Sequence, residues 1–162
     1  MSKIKLLILL LTSIYLIGCV DQKFERNNLD FQLGYIGGEY DGLQLSKQLK
    51  SNLQNFNLLN SNSPLIIEAS IKHQASVFIT NIDNTSEREK IISELSVKIY
   101  DQSLECYAYT YNNEVNQFYI YAPANKFISN KSAVKKIKKT NTDRLIKDFI
   151  NQLLYAKLNC EQ

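Results

Sequence analysis

The longest alternating pattern in the chain constrains its fold more than any other feature. From Leu65 to Ile79, apolar or small residues occupy most odd positions and polar residues most even ones. The predicted inward set is Leu65, Ile67, Ala69, Ile71, Ala75, Val77 and Ile79. A period of two over this length predicts a long β-strand with one buried and one solvated face. Such one-sided burial is typical of antiparallel sheets.

Two further segments continue this pattern after polar turns. Asn81–Ser86 is rich in turn-forming residues, and Glu89–Tyr100 alternates again. The inward positions of this second strand are Ile91, Leu95, Val97 and Ile99. A turn at Asp101–Ser103 leads to a third predicted strand, Leu104–Tyr111. These three segments predict an antiparallel meander.

The third strand is rich in tyrosine. Strict alternation places Tyr107, Tyr109 and Tyr111 in an aromatic row on one face. The opposite face is then formed by Cys106, Ala108 and Thr110. Further along, Phe118–Tyr121 fits either a short strand or an apolar loop, and both interpretations stay open at this point.

A shorter strand and a helix precede the meander. Phe31–Ile36 alternates and ends at Gly37-Gly38, which predicts a half-buried strand. Asp41 is predicted to cap a helix, because aspartate is a favoured N-cap residue. The apolar stripe of that helix is formed by Leu45, Leu49, Leu53 and Phe56.

A second helix is predicted from Ser132 onward. We expect it to break or bend near Lys139–Asn141, with Thr142 capping its second half. Its broad apolar stripe comprises Leu145, Ile146, Phe149, Ile150, Leu153 and Leu154. The width of that stripe favours a helix laid on a sheet.

This order of elements predicts an α+β fold. It comprises strand, helix, three strands and helix, with two helices packed on one face of a mostly antiparallel sheet with long strands. We assign residues 30–162 to this single domain, which is long enough to bury a hydrophobic core.

The N-terminus has the pattern of a lipoprotein signal. Lys3 and Lys5 precede an apolar run that ends in Leu16-Ile17-Gly18-Cys19. We interpret residues 1–18 as a signal peptide cleaved between Gly18 and Cys19, with Cys19 acylated. Residues 19–29 then form a lipidated tether, and each buried methylene of an acyl chain contributes about 0.8 kcal/mol to anchoring. A transmembrane helix, or a secretory signal with an incidental cysteine, is the alternative interpretation.

Two cysteines remain after Cys19 is assigned to the lipid. Export places Cys106 and Cys160 in an oxidising compartment, where a disulfide between them would persist. The alternative is a buried thiol at Cys106 and a free thiol at Cys160.

Neither composition nor motifs indicate catalysis. The single histidine, His73, interrupts the inward stripe of the longest strand, and we interpret it as a core or rim residue. One histidine and two distant thiols cannot form a metal cluster, and Gly37-Gly38 lacks the spacing of a phosphate loop. The net charge of +3 falls by two, to +1, without Lys3 and Lys5, which gives no argument for nucleic acid. We expect a non-enzyme without cofactor or metal.

Basic residues supply two low-specificity candidates for contact with phosphate or lipopolysaccharide. Lys135 and Lys136 begin a run of lysines, and Arg88 and Lys90 lie near the tip of the long hairpin. The alternative is ordinary solvated surface, which charge runs usually mark, and for the lysine run we favour that interpretation.

In element order the chain resembles the lipopolysaccharide-assembly lipoprotein family, LptE, of diderm bacteria. The resemblance covers nearly all of the chain after Cys19. It rests on a helix like Leu43–Asn57, strands like Leu65–Thr80, Glu89–Asp101 and Cys106–Tyr111, and a C-terminal helix like Thr142–Leu158. The segment after the lipid cysteine, Val20–Phe24, departs from the Gly-Phe-x-Pro-Leu-Tyr-like pattern common in the family.

The resemblance implies a function. Such proteins plug the lumen of the outer-membrane β-barrel translocon LptD, help it to assemble and contact lipopolysaccharide. The chain would then be anchored by lipid at the periplasmic side of the outer membrane, and Val20 after Cys19 is consistent with sorting there.

Two other functions stay open, a ligand-binding periplasmic lipoprotein and an activator of a cell-wall synthase. A ligand-binding protein needs a concave apolar pocket. We expect no such pocket, because the helices and the sheet use all their apolar segments to bury one another.

The lipid assignment predicts the outcome of one substitution. Cys19→Ala should leave the precursor unprocessed by signal peptidase II and remove the label after growth with a radioactive fatty acid. Label that persists in the Cys19→Ala chain would contradict the assignment.

Overall fold

The structure is a computed structural model that describes residues 29–79, 87–120 and 127–160. The predicted signal peptide, Gly18, Cys19 and the turn at Asn81–Ser86 lie outside these ranges. The division of the chain into residues 1–18, 19–29 and 30–162 therefore stays a prediction.

The described residues confirm the predicted α+β fold. Their elements are β1 (Gln32–Gly37), α1 (Glu39–Asn55), β2 (Leu65–Ile79), β3 (Glu87–Asp101), β4 (Cys106–Ile120) and α2 (Phe127–Leu153). The strands form one sheet in the order β1-β2-β3-β4. β1 is parallel to β2, and the other pairings are antiparallel. α1 packs on β1 and β2, while α2 packs on β3, β4 and α1.

The hairpin of β2 and β3 is the longest feature of the sheet. These strands pair without interruption from Leu65 opposite Asp101 to Ile79 opposite Glu87. At about 3.3 Å per residue, strands of 15 residues extend for roughly 50 Å. The 17 residues of α1 extend for only about 25 Å at 1.5 Å per residue. α1 therefore covers only part of the hairpin.

The hydrophobic core lies between the helices and one half of the sheet. Odd-numbered residues of β2 and β3 are buried there, as predicted: Ile67, Ala69, Ile71, Leu95, Val97 and Ile99. The helices contribute Leu45, Leu49, Leu53, Leu145, Ile146, Phe149, Ile150 and Leu153. The predicted stripe of β2 is wrong at Ala75, which is exposed, because the strand continues beyond the part that α1 covers. The side chains of Val77 and Ile79 lie outside the described set.

The predicted tyrosine row is also wrong, because β4 contains a bulge. The register places Tyr109 opposite Ile99 and Tyr107 opposite Tyr100, so Ala108 is the extra residue. A bulge reverses the alternation of the residues that precede it. Tyr109 therefore faces the helices, whereas Tyr107 lies on the opposite face, with its ring centroid 5.2 Å from the Lys98 ammonium.

β4 is much longer than predicted. The segment Asn112–Glu114 resembles a turn in sequence, yet it pairs with Glu94–Ser96 and the strand continues to Ile120. Pairing with β3 outweighs the weak strand propensity of asparagine, since β propensity depends strongly on context. Of the two interpretations of Phe118–Tyr121, strand is correct as far as Ile120, and Tyr121 lies outside the described residues.

The start of α1 differs from the prediction. Gly38, at φ 113°, is the N-cap residue and makes no side-chain capping bond, so the predicted cap at Asp41 is wrong. A glycine there allows the left-handed backbone and a close approach to β2. Asp41 instead lies in the first turn, where a carboxylate interacts favourably with the helix dipole.

α2 runs without a break from Phe127 to Leu153. The predicted break near Lys139–Asn141 is wrong, as is the predicted cap at Thr142. The Thr142 hydroxyl donates to the carbonyl of Lys138 at 2.8 Å, which satisfies it inside the helix.

The C-terminal half of α2 is held to β4 by a carboxylate. Asp148 Oδ2 accepts hydrogen bonds from Tyr111 at 2.8 Å, Asn113 at 2.9 Å and Gln152 at 3.0 Å. Burial is the main cause that raises the pKa of Tyr111 well above its usual value, and the hydrogen bond to Asp148 is the second. The phenol therefore remains a hydrogen-bond donor. The Tyr111 ring also packs on Phe149, with 5.4 Å between centroids.

The C-terminal segment is tied to the first residues of β4. Cys106 and Cys160 form a disulfide with Cα atoms 5.8 Å apart. The Asn159 amide donates to the Ala108 carbonyl at 3.2 Å. A link across a separation of 54 residues contributes about 4 kcal/mol to stability in the chain-entropy model.

β4 is the last strand of the sheet. No other described strand pairs with its edge that faces away from β3, and Glu114 is the only charged residue from Cys106 to Ile120.

Adjacent substitutions on β2 test the assignment of its faces. Ile71→Asp places an unpaired carboxylate at a site that is 2% exposed, so we expect it to unfold the domain. Lys72→Asp, on the opposite face, should change the free energy of unfolding by only about 0.5 kcal/mol. Urea denaturation followed by circular dichroism measures both, and equal destabilisation would contradict the faces described.

Candidate functional site

A buried polar layer marks one end of the core. His73 lies opposite Ser93 in the register of β2 and β3, one step beyond Ile71 and Leu95. Ser93 and Asn141 are both fully buried. The Ser93 hydroxyl oxygen lies 2.8 Å from His73 Nδ1 and accepts a hydrogen bond from Asn141 Nδ2 at 2.9 Å. His73, Ser93 and Asn141 form what we call the polar layer.

The polar layer favours a neutral histidine. Burial lowers the pKa of His73; the nearby Asp41 carboxylate acts in the opposite direction, and Lys138 adds to the lowering. With Asn141 donating to Ser93, the serine hydroxyl can donate its own hydrogen to Nδ1 of a neutral ring. His73 is thus a hydrogen-bonded rim residue, in agreement with the interpretation of the sequence.

A pocket lies beyond the polar layer, between the two helices and the sheet. Its volume is about 660 Å³, and most of its lining surface is apolar. Tyr40 and Gln44 of α1, Val134 of α2 and Tyr119 of β4 form part of its wall. We call it the inter-helix pocket. The expectation that no pocket would be present is wrong, because the long hairpin extends past the region where the helices close on the sheet.

Lysines of α2 surround the inter-helix pocket. Its lining includes Lys131, Lys135, Lys138 and Lys139. Lys138 forms an ion pair with Asp41, with 3.1 Å between the ammonium and Oδ2. Within the described ranges, no carboxylate forms an ion pair with the other three lysines.

The four basic residues that the sequence suggests for phosphate or lipopolysaccharide contact lie at different places in the structure. Lys135 lines the inter-helix pocket, whereas the adjacent Lys136 is exposed and does not. Arg88 and Lys90 lie on the opposite face of the sheet, where the Lys90 ammonium is 5.8 Å from the centroid of the Phe118 ring. The candidates therefore do not form one site.

Two residues of the pocket region were not singled out from the sequence. Gln48 lines the pocket, and its Oε1 is a buried acceptor for which the described residues provide no hydrogen-bond donor. Asn141 Oδ1 is likewise a buried acceptor for which the described residues provide no donor. The one available signal was a polar residue, Asn141, about one helical turn before Leu145, where the apolar stripe of α2 begins.

The other face of the sheet, which we call the outer face, is covered by no described element. It consists of the even-numbered residues of β2, β3 and most of β4, together with Tyr107. Its ionised residues are Glu68, Lys72, Arg88, Lys90, Glu94, Lys98 and Glu114. Opposite charges face each other across the strands at Glu68–Lys98 and at Lys72–Glu94. The outer face is long, mostly polar and of mixed charge, with Phe118 and Ile120 as exposed apolar residues near one end.

The described residues give no indication of a metal centre or of a membrane-spanning helix. No group of three histidine, cysteine, aspartate or glutamate side chains among them is arranged to hold a metal ion. Within the same ranges, no helix combines the length and hydropathy that crossing a bilayer requires.

Comparison with known proteins identifies the fold. No family model matches the chain, and no curated protein is significantly similar to it in sequence. A solved minor lipoprotein from Acinetobacter baumannii aligns with a TM-score of 0.62 at 16% identity, over 82% of this chain and 96% of that one. Rare lipoprotein B from Shewanella oneidensis aligns with a TM-score of 0.52 at 11% identity, over 78% and 96%.

A third match has a similar extent. A candidate lipoprotein from Caulobacter crescentus CB15 gives a TM-score of 0.54 at 14% identity, over 77% of this chain and 88% of that one. The chain therefore shares its fold with bacterial lipoproteins, over about four fifths of its own length and most of theirs. At these identities the likeness concerns the fold alone.

The polar layer predicts a pH dependence of stability. His73 is the only histidine in the chain, and its pKa is lower in the folded state than its ordinary 6.5. The unfolded chain therefore binds more protons just below pH 6.5, so the free energy of unfolding should fall as the pH drops from 7.5 to 5.5. Urea denaturation of wild type and His73→Gln at both pH values measures this loss. We expect a smaller loss in the variant, and an equal loss would contradict the prediction.

Proposed function

We propose that this protein is a lipid-anchored subunit of the lipopolysaccharide-assembly complex, held at the periplasmic side of the outer membrane. In this proposal it occupies the lumen of an LptD-like β-barrel and supports assembly of that barrel. The role requires no catalytic residue, and we propose that the protein is not an enzyme.

The outer face is the observation that carries this proposal. The interior of a large transmembrane barrel is polar, so a protein that fills it has to present polar and hydrogen-bonding groups. A strand hairpin of roughly 50 Å with an uncovered face of mixed charge meets that requirement. The hairpin is about twice as long as α1, so its outer face is longer than the packing of that helix requires.

Two further observations support the proposal. The fold is one that solved bacterial lipoproteins share, and the sequence carries a lipobox that ends at Cys19. The resemblance to the LptE family implies the barrel and lipopolysaccharide as partners. Arg88 and Lys90 on the outer face, and Lys135 and Lys136 on α2, stay candidates for lipopolysaccharide contact.

A ligand-binding lipoprotein is a second candidate function. The inter-helix pocket favours it, because a volume of about 660 Å³ lies within the range of small-molecule sites. No observation on the described residues favours an activator of cell-wall synthases.

Reversing charges on the outer face tests the barrel proposal. The test chain carries Lys72→Glu, Arg88→Glu, Lys90→Glu and Lys98→Glu. All four side chains are on the outer face, so we expect the yield of full-length chain that co-purifies with its barrel from membranes to fall by about tenfold or more, since like-charge juxtaposition at an interface costs several kcal/mol.

A matched control separates this effect from net charge. Lys47, Lys50, Arg144 and Lys157 are exposed residues outside the outer face, again three lysines and one arginine. Reversing these four should leave both stability and barrel yield near the wild-type values. If the outer-face chain remains folded and its barrel yield equals that of the control, the outer face is not the partner surface and the proposal fails.

A further inference from the structure

We propose that the inter-helix pocket binds a single-chain anionic amphiphile, such as a fatty acid or a lysophospholipid. Its acyl chain would lie along the apolar wall, and its head group would lie among the lysines of α2. The proposal concerns the helix side of the sheet and does not depend on a barrel partner for the outer face.

The wall of the pocket fits a hydrocarbon chain. Tyr40, Tyr119, Val134 and the methylene stems of the lysines present mainly apolar surface. The polar layer separates this wall from the main core, so the pocket is a distinct apolar region. A small soluble anion would make no use of such a wall, whereas each buried methylene of a chain contributes about 0.8 kcal/mol.

The charge of the pocket selects an anion. Four lysines and one carboxylate, Asp41, line it, and Asp41 is already paired with Lys138. Lys131, Lys135 and Lys139 follow one another at intervals of four residues, which places their charges in one row of about 12 Å along α2. Like charges at this spacing repel one another, and a bound anionic group relieves that repulsion.

The size of the pocket limits the ligand to one chain. A volume of about 660 Å³ is in the middle of the range for small-molecule sites, roughly 300–1,000 Å³. A glycolipid with several acyl chains exceeds it. The pocket is therefore a different site from any lipopolysaccharide contact on the outer face.

Photocrosslinking of the full-length protein tests the proposal. The protein is purified in a non-ionic detergent, returned to phosphatidylcholine vesicles and irradiated with a diazirine derivative of palmitic acid. We expect mass spectrometry to find the adducts on the pocket segments of the helices, 40–48 and 130–142. Adducts spread evenly over the outer face, or absent from both segments, overturn the proposal.

Adjacent lysines provide the matched variants. Lys135→Glu replaces an attraction by a repulsion, each on the scale of one exposed ion pair, so pocket labelling should fall by roughly fivefold. Lys136→Glu makes the same change one residue away, outside the pocket lining, and should label like wild type. Equal labelling of the two variants overturns the role of the lysine row.

Two further arms define the ligand class. The corresponding diazirine alcohol has the same chain without the charge, and it should label the pocket less than the acid and be unaffected by Lys135→Glu. Unlabelled palmitate and lysophosphatidylglycerol, added separately, show whether a carboxylate or a phosphate head group is preferred, and displacement by either supports the proposal. Displacement by lipopolysaccharide alone, or by none of these lipids, overturns it.

Discussion

The uninterrupted pairing of β2 with β3 determines the arrangement of the whole molecule. Fifteen consecutive residue pairs fix a hairpin of roughly 50 Å, about twice the length of α1. α1 can therefore cover only about half of it, whereas α2, with 27 residues, extends for about 40 Å and also lines the pocket. The main core occupies that half, the inter-helix pocket opens above the other, and the outer face remains without a cover. The division between the core and the pocket therefore follows from the mismatch in length between the hairpin and α1.

Two polar contacts determine where α2 lies along this hairpin. Asn141 bonds to Ser93 near the middle of the helix, and Asp148 bonds to Tyr111 and Asn113 about two turns later. Apolar packing alone would tolerate a shift of one turn, because leucine and isoleucine side chains pack almost equally well at neighbouring positions. Buried donors and acceptors do not tolerate it, since each unpaired group costs about 1–3 kcal/mol. These contacts therefore position the lysine row at the pocket.

The sequence predicted the order of the elements, the sheet type and most of the core, because each depends on the period of the apolar residues along one element. Its errors concern interactions between elements. The bulge at Ala108 depends on register with β3, and pairing with that strand extends β4 through Asn112–Glu114. Burial against the sheet keeps α2 continuous at Thr142. Of the candidate contacts, only Lys135 lines the pocket, since the cavity lies between residues of four elements that no local pattern relates.

The edge of β4 that faces away from β3 has a consequence for how the protein behaves in solution. No described strand pairs with this edge of β4, and Glu114 is the only charged residue from Cys106 to Ile120. Natural sheets usually protect such edges with lysine, proline or short strands, because an open edge recruits strands from other molecules. Little of that protection is present here. We therefore expect this edge of β4 to be the place where strands of other molecules pair with the protein, since its own side chains give it little protection.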